Sequence, residues 1–254
     1  MFVYFIVALL ATLIGSTAGM GGGVIIKPIL DLLGDYNVTT IAILSSITVL
    51  SMALVSTIKQ IRKGFKVERY MVLITIGAVI GGIVGSLIFS LFKQNIPENL
   101  LTAIQSAILI VLLLFCLVYK KFPKVMISSA WIQVLAGLLL GMLGSFLGIG
   151  GGPINVAVLC ILFCSDIRNA ARVSVLIILF SQISGLITKW IDGLFFEVQD
   201  FSMLLVMIPA AIIGGLLGAT FNIKLKEKTI HNAFIACIFL VIAICIFNLY
   251  RSLV

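Results

Sequence analysis

Hydrophobic positions along the chain come in long runs separated by short polar connections, without the alternation of half-buried strands. Ten apolar spans stand out, near residues 2–18, 20–34, 38–58, 70–91 and 99–119, then 129–147, 149–164, 168–188, 201–222 and 232–250. A helix needs roughly 20 such residues to cross a bilayer, and most of the spans approach or reach that. The second span of each five is shorter and opens on a glycine cluster. Tyr4, Tyr36, Tyr70, Tyr119 and Tyr250, with Trp131 and Trp190, fall near span ends, where amphipathic rings settle at a membrane interface.

The two sets of five spans are related. Residues 15–30 read GSTAGMGGGVIIKPIL and residues 144–159 read GSFLGIGGGPINVAVL, identical at eight of sixteen positions at an offset of 129. The register continues through Ser45 and Ser174 and through Gly64 and Gly193. After a four-residue insertion, Gly81-Gly82-x-x-Gly85 matches Gly214-Gly215-x-x-Gly218. Self-similarity of this kind marks two homologous halves, expected at 1–122 and 125–254. The N-terminal run Phe2–Ile14 lacks the basic segment of a secretory signal and recurs in the second half, so it is expected in the mature protein.

Composition removes the soluble reading. Hydrophobic residues are 62% and charged residues 10% of 254, against roughly 45–50% and 25% in soluble domains. The net charge of +8 does not imply a nucleic-acid partner, because the basic residues gather in short loops: Lys59, Arg62, Lys63, Lys66 and Arg69, then Lys120, Lys121 and Lys124, then Lys224, Lys226 and Lys228. These read as cytoplasmic under the positive-inside rule. Segment 189–200, read as a loop with Lys189 against Asp192, Glu197 and Asp200, falls outside, opposite its repeat counterpart 59–69. The expected fold is an all-α polytopic membrane protein, with about ten transmembrane segments in two inverted five-segment repeats and both termini outside. Cys116, Cys160, Cys164, Cys237 and Cys245 sit inside apolar spans and read as packing residues.

Inverted repeats with interrupted spans at matching positions are the architecture of secondary transporters, whose substrate sits near midplane. Here the breaks are Gly19, Gly21, Gly22 and Gly23, and Gly148, Gly150, Gly151 and Gly152. Glycine lets a ligand approach the backbone, and the helix start that follows offers unpaired N–H groups and positive dipole to an anion. The spans carry cations where carboxylates are missing: Lys27 in the middle of the second span and Arg172 one turn inside its own. All nine acids are placed in loops or at span ends, which argues against cation transport through buried carboxylates. Asn155, Ser45 and Ser174 are neutral candidates to contact an oxyanion, with Ser46 and Gln182 behind them. Gln105, Gln133 and Asn248 read as bridges between helices, and His231 as a solvated loop residue. The two GGxxG pairs read as helix-packing faces. No nucleophile–base set, metal site or cofactor motif is present, which excludes an enzyme.

The doubled motif resembles the sulfite exporter TauE/SafE family of bacterial and archaeal membrane permeases. Its residues are Gly19, Gly21, Gly22, Gly23, Pro28 and Leu30, then Gly148, Gly150, Gly151, Gly152 and Leu159, with Ala157 where the family has proline. Ala42, Ser45 and Ser46, echoed by Ala171 and Ser174, extend it. The resemblance implies transport of sulfur oxyanions or organosulfonates, more often outward, across the plasma membrane of a bacterium or archaeon. The expected partners are a small anionic substrate and the lipid bilayer, with no nucleic acid and a homodimer left open. An anion channel of the same fold and a non-transporting membrane scaffold are the alternatives.

Overall fold

The computed structural model describes residues 1–123, 125–163 and 165–253. Lys124, expected on the inner connection, and Cys164, expected to pack within its span, lie outside the described residues. The described residues form ten α-helices: α1 (Phe2–Ala18), α2 (Gly23–Leu33), α3 (Val38–Arg62), α4 (Arg69–Asn95), α5 (Glu98–Val118), α6 (Ala130–Leu147), α7 (Gly152–Leu162), α8 (Ile167–Ile191), α9 (Leu204–Lys224) and α10 (Glu227–Leu253). Among the described residues there is no strand. Large apolar side chains such as Leu114, Leu205 and Phe239 face outward, as they do where lipid is the solvent. The protein is a multi-pass membrane protein.

Seven of the ten helices, α3, α4, α5, α6, α8, α9 and α10, are long and apolar enough to cross a membrane, fewer than the ten segments expected. The difference is one of length. Helix α1 has 17 residues, and α2 and α7 have 11 each, about 16 Å of rise, roughly half of a hydrocarbon core about 30 Å thick.

Two sets of connections close the bundle at opposite ends. At one end, Lys93 pairs with Glu197, the Tyr36 hydroxyl donates to Asp200, the Asn37 amide donates to Gln199 and Tyr4 donates to Asp35. At the other, Lys120 meets His231, Arg168 donates to the Leu225 carbonyl, and Val125 N–H donates to the carbonyl of Ile161. Helix α1 starts at the first end and α2 finishes there, so the two make a hairpin that returns to its origin. Helices α6 and α7 make a second hairpin from the basic end. Both turn on glycines in the left-handed region: Gly19 and Gly148, which end α1 and α6, have φ of 73° and 66°.

The GGxxG faces pack helices, as expected. A Cβ on Gly218 would lie 2.4 Å from the Leu13 carbonyl oxygen of α1, and one on Gly81 would lie 2.1 Å from the Leu138 oxygen of α6. Helices α3 and α8 begin on matching caps: the Asn37 side chain accepts from Thr40 N–H at 2.8 Å and Asp166 accepts from Asn169 N–H at 2.6 Å.

Three local expectations change. Helix α8 continues to Ile191, which places Lys189 on its last turn and not in a loop. His231 lies on α10 and not in a loop, because that helix begins at Glu227. Asp31 is on α2, one turn beyond Lys27, so a carboxylate does stand near that lysine.

Candidate functional site

The two hairpins meet tip to tip. A Cβ on Gly23 would fall 2.5 Å from the Ile149 carbonyl oxygen, and one on Gly152 would fall 3.4 Å from the Met20 oxygen. Gly21 packs against Ile178, and Gly19 so closely against Ala171 that a Cβ would sit 2.2 Å from its Cα. Gly22 packs inside its own hairpin, against Thr12. Only residues without side chains allow two backbones this close. The Ser174 hydroxyl donates to the Gly19 carbonyl at 2.6 Å, tying α8 to the first tip. Neither α2 nor α7 has a side-chain cap at its start.

Around the junction several polar groups are buried without a partner among the described residues. They are both polar atoms of Asn155, the hydroxyls of Ser45 and Ser46, and the Gln182 amide nitrogen. Asn155 and Ser45 are fully buried. The Asn155 side chain lies against Gly151, and Gln182 lies near Gly150. Buried groups of this kind are normally satisfied, and each unsatisfied one asks for an explanation. Five such groups on four residues, with Asn155 and Gln182 against the second tip, make the junction receptive to a polar ligand.

Lys27 connects the halves. Its stem passes Gly148, with Cδ 3.7 Å from where a Cβ there would be, and it is 3% exposed. Its ammonium donates to the Gln105 carbonyl oxygen, and the Gln105 amide donates to the Phe146 carbonyl at 2.7 Å, on the last turn of α6. Thus Lys27 is held, through a neutral amide, at the negative end of the α6 dipole. Asp31, Ser106 and Leu147 join them around a cavity of about 10 Å³, at the lower limit for a single water and too small for an oxyanion. The site is closed in this conformation.

Towards the end that carries Asp35 and Glu197, Asp31 also lines a cavity of about 220 Å³ with Glu98, Asn99, Thr102 and Arg251. Asn99, Thr102, Gln105 and Ser106 run along one side of α5 and lead from this vestibule down to Lys27. Tyr36 stands at its mouth; burial, then the hydrogen bond to Asp200, pushes the phenol pKa up, so it adds no negative charge there. At the basic end a larger cavity, about 520 Å³, has Lys120, Lys228 and His231 facing Asp166 and Glu227.

Arg172 is placed apart from Lys27. Its Nε donates to the Asn222 carbonyl oxygen at 3.2 Å, and Asn222 in turn donates to the Thr17 carbonyl. The structure therefore brings Lys27, both glycine tips, Asn155, Ser45 and Ser174 together, and leaves Arg172 beside the first tip, on its basic side. Two residues have roles the sequence did not assign them: Gln105, read as a helix bridge, and Lys189, read as a loop charge. Gln105 is the partner of Lys27, and Lys189 is a second lysine buried to 2% exposure. At the repeat offset, Lys189 matches Gln60, which is buried too; both positions lie beyond the apolar runs, so the sequence carries no signal of either burial.

A family model described as sulfite exporter TauE/SafE matches residues 4–245. The chain is similar to the probable membrane transporter protein YunE of Bacillus subtilis, 32% identical over 102 residues, 40% of this chain and 36% of that protein. It is also similar to the probable membrane transporter protein MamO of Magnetospirillum gryphiswaldense, 29% identical over 104 residues, 39% of this chain and 16% of that protein. The chain thus aligns with about a third of the first relative's length and a sixth of the second's. No solved structure matches.

Proposed function

The chain belongs to the sulfite exporter TauE/SafE family, and we propose that it is a secondary transporter of a small anion, a sulfur oxyanion or organosulfonate. The observation that carries the reading is Lys27: a buried cation held by a neutral amide, beside two glycine tips and unsatisfied polar groups. An anion entering there replaces Gln105 as the partner of the ammonium and engages Asn155 and Ser45. Gly21–Gly23 and Gly150–Gly152 allow it close to the main chain.

In this reading residues 1–122 and 125–254 are inverted repeats. Each contributes one re-entrant hairpin, α1–α2 or α6–α7, and three crossing helices. Helix α6 is long enough to cross, but its hairpin with α7 returns to the basic end. Three crossings per half, like five, invert the second half relative to the first. The basic end is cytoplasmic, in the plasma membrane of a bacterium or archaeon, and export runs from that end towards the vestibule above Lys27. The closed cavity at Lys27 favours a carrier over an open channel.

Counterflow tests this directly. Proteoliposomes preloaded with thiosulfate should accumulate external labelled thiosulfate transiently, with saturable kinetics. Linear, non-saturating flux without counterflow identifies a channel, and no flux with any sulfur anion removes the transport reading.

A further inference from the structure

The site proposed above uses one buried lysine, and the fold contains a second. Lys189 is among the largest fully buried side chains of the protein. Its ammonium lies over the Phe89 ring, 5.2 Å from the centroid, and nothing among the described residues accepts a hydrogen bond from it. Asp192, the acid three positions on, caps the helix and forms no ion pair with it. An ammonium has three donors. A ring face attracts it but takes the place of none of the acceptors lost with water. A snorkelling lysine would extend its head group to the interface; this one is enclosed.

Its surroundings lead to Lys27. Phe89 is one turn before Phe92 on α4, and Phe92 packs edge-on against Phe146, with centroids 5.6 Å apart. The Phe146 carbonyl accepts from Gln105, whose other end holds Lys27. Lys189 therefore stands on the far side of the Phe89, Phe92 and Phe146 rings from Gln105 and Lys27, within electrostatic reach of the Lys27 charge. Asp31 is the carboxylate near this pair, and it stands beside Lys27. Two positive groups enclosed with one half-buried acid leave the region short of negative charge.

We propose that Lys189 is a second charge ligand of the Lys27 site, and that the species bound between them carries two negative charges. This rests on the anion-transport reading. The class is a dianion, either a compact oxyanion or a sulfonate with a second acidic end; a monoanion satisfies one lysine and leaves the other unpaired.

Calorimetric titration of the purified full chain in detergent, at about pH 6 where all three probes are ionised and lysine carries its charge, tests it. The probes are sulfate, sulfoacetate and methanesulfonate. Wild type should bind at least one dianion about tenfold or more tighter than methanesulfonate. Tighter sulfate indicates a compact oxyanion, and tighter sulfoacetate a two-ended one. Lys189→Gln should weaken the preferred dianion by about 10- to 150-fold and methanesulfonate by less than about threefold, while Lys189→Arg keeps the preference. If Lys189→Gln leaves the dianion-to-monoanion ratio unchanged while Lys27→Ala weakens all three probes, the inference fails and the anion site stands. If Lys27→Ala binds every probe as wild type does, the site reading falls and takes the inference with it. Preference of wild type for methanesulfonate, or binding of no probe, overturns the proposal without any variant, so a misfolded Lys189→Gln does not shelter it.

Discussion

Lys27 and Gln105 show how a single neutral contact keeps a charge in a membrane protein. The amide oxygen accepts from the ammonium and the amide nitrogen donates to Phe146, so one side chain satisfies a cation and a helix end together. Gln105→Leu removes both bonds and leaves the ammonium buried alone. Leaving such a group unsatisfied costs about 1–3 kcal/mol. The variant should melt below wild type without anion and regain more of its midpoint than wild type when thiosulfate is added. An equal thiosulfate shift in both proteins would show that the anion does not compete with Gln105 for Lys27. Asn155 makes a weaker demand. Its two unpaired atoms each offer one neutral hydrogen bond worth about 0.5–1.5 kcal/mol, so Asn155→Ala should reduce thiosulfate affinity by about two- to tenfold. Unchanged affinity on titration would remove Asn155 from the site.

At the scale of elements, the glycine tips decide how near the two hairpins come. Because a Cβ on Gly23 would overlap the Ile149 carbonyl, Gly23→Ala must push the second tip away. Overpacking of a close contact costs about 1–3 kcal/mol, so thermal unfolding should shift down and transport should fall sharply even where the protein reaches the membrane. Normal transport by Gly23→Ala would mean that the tips separate freely. The glycine breaks were legible because they are local: a doubled GxGGG motif interrupts apolar runs wherever they fold. The helix ends were less so. Hydropathy ends a span where apolar residues stop, but α3 and α8 run on to Arg62 and Ile191, beyond the hydrophobic run. Lys189 therefore read as a loop charge, while its burial depends on Phe89, 100 positions away in sequence. Asp31 was misjudged for a different reason: it stands at a span end in sequence, yet one turn of α2 brings it to the same cavity as Lys27.

At the scale of the molecule, the loop contacts sort the connections into a basic end and an end bearing Asp35, Asp192, Glu197 and Asp200. Moving Lys189 into α8 leaves segment 192–200 with acids alone, which sharpens the contrast with 59–69. A cysteine placed at Lys63 should resist an impermeant thiol reagent in intact cells, and one placed at Gln199 should react; equal labelling of both would contradict the inverted arrangement. The hairpins' meeting, by contrast, had no sequence signal beyond the repeat, since it joins residues as distant in the chain as Gly23 and Ile149, or Lys27 and Gly148. It places one buried cation, Lys27, against the tip of the opposite hairpin, and the transport proposal turns on that residue. The most direct test is the thiosulfate affinity of wild type and Lys27→Ala, measured by calorimetry on purified protein. A lost charge-assisted bond of roughly 1.5–3 kcal/mol should weaken binding by about 10- to 150-fold. A folded Lys27→Ala protein that binds thiosulfate with wild-type affinity would contradict the account.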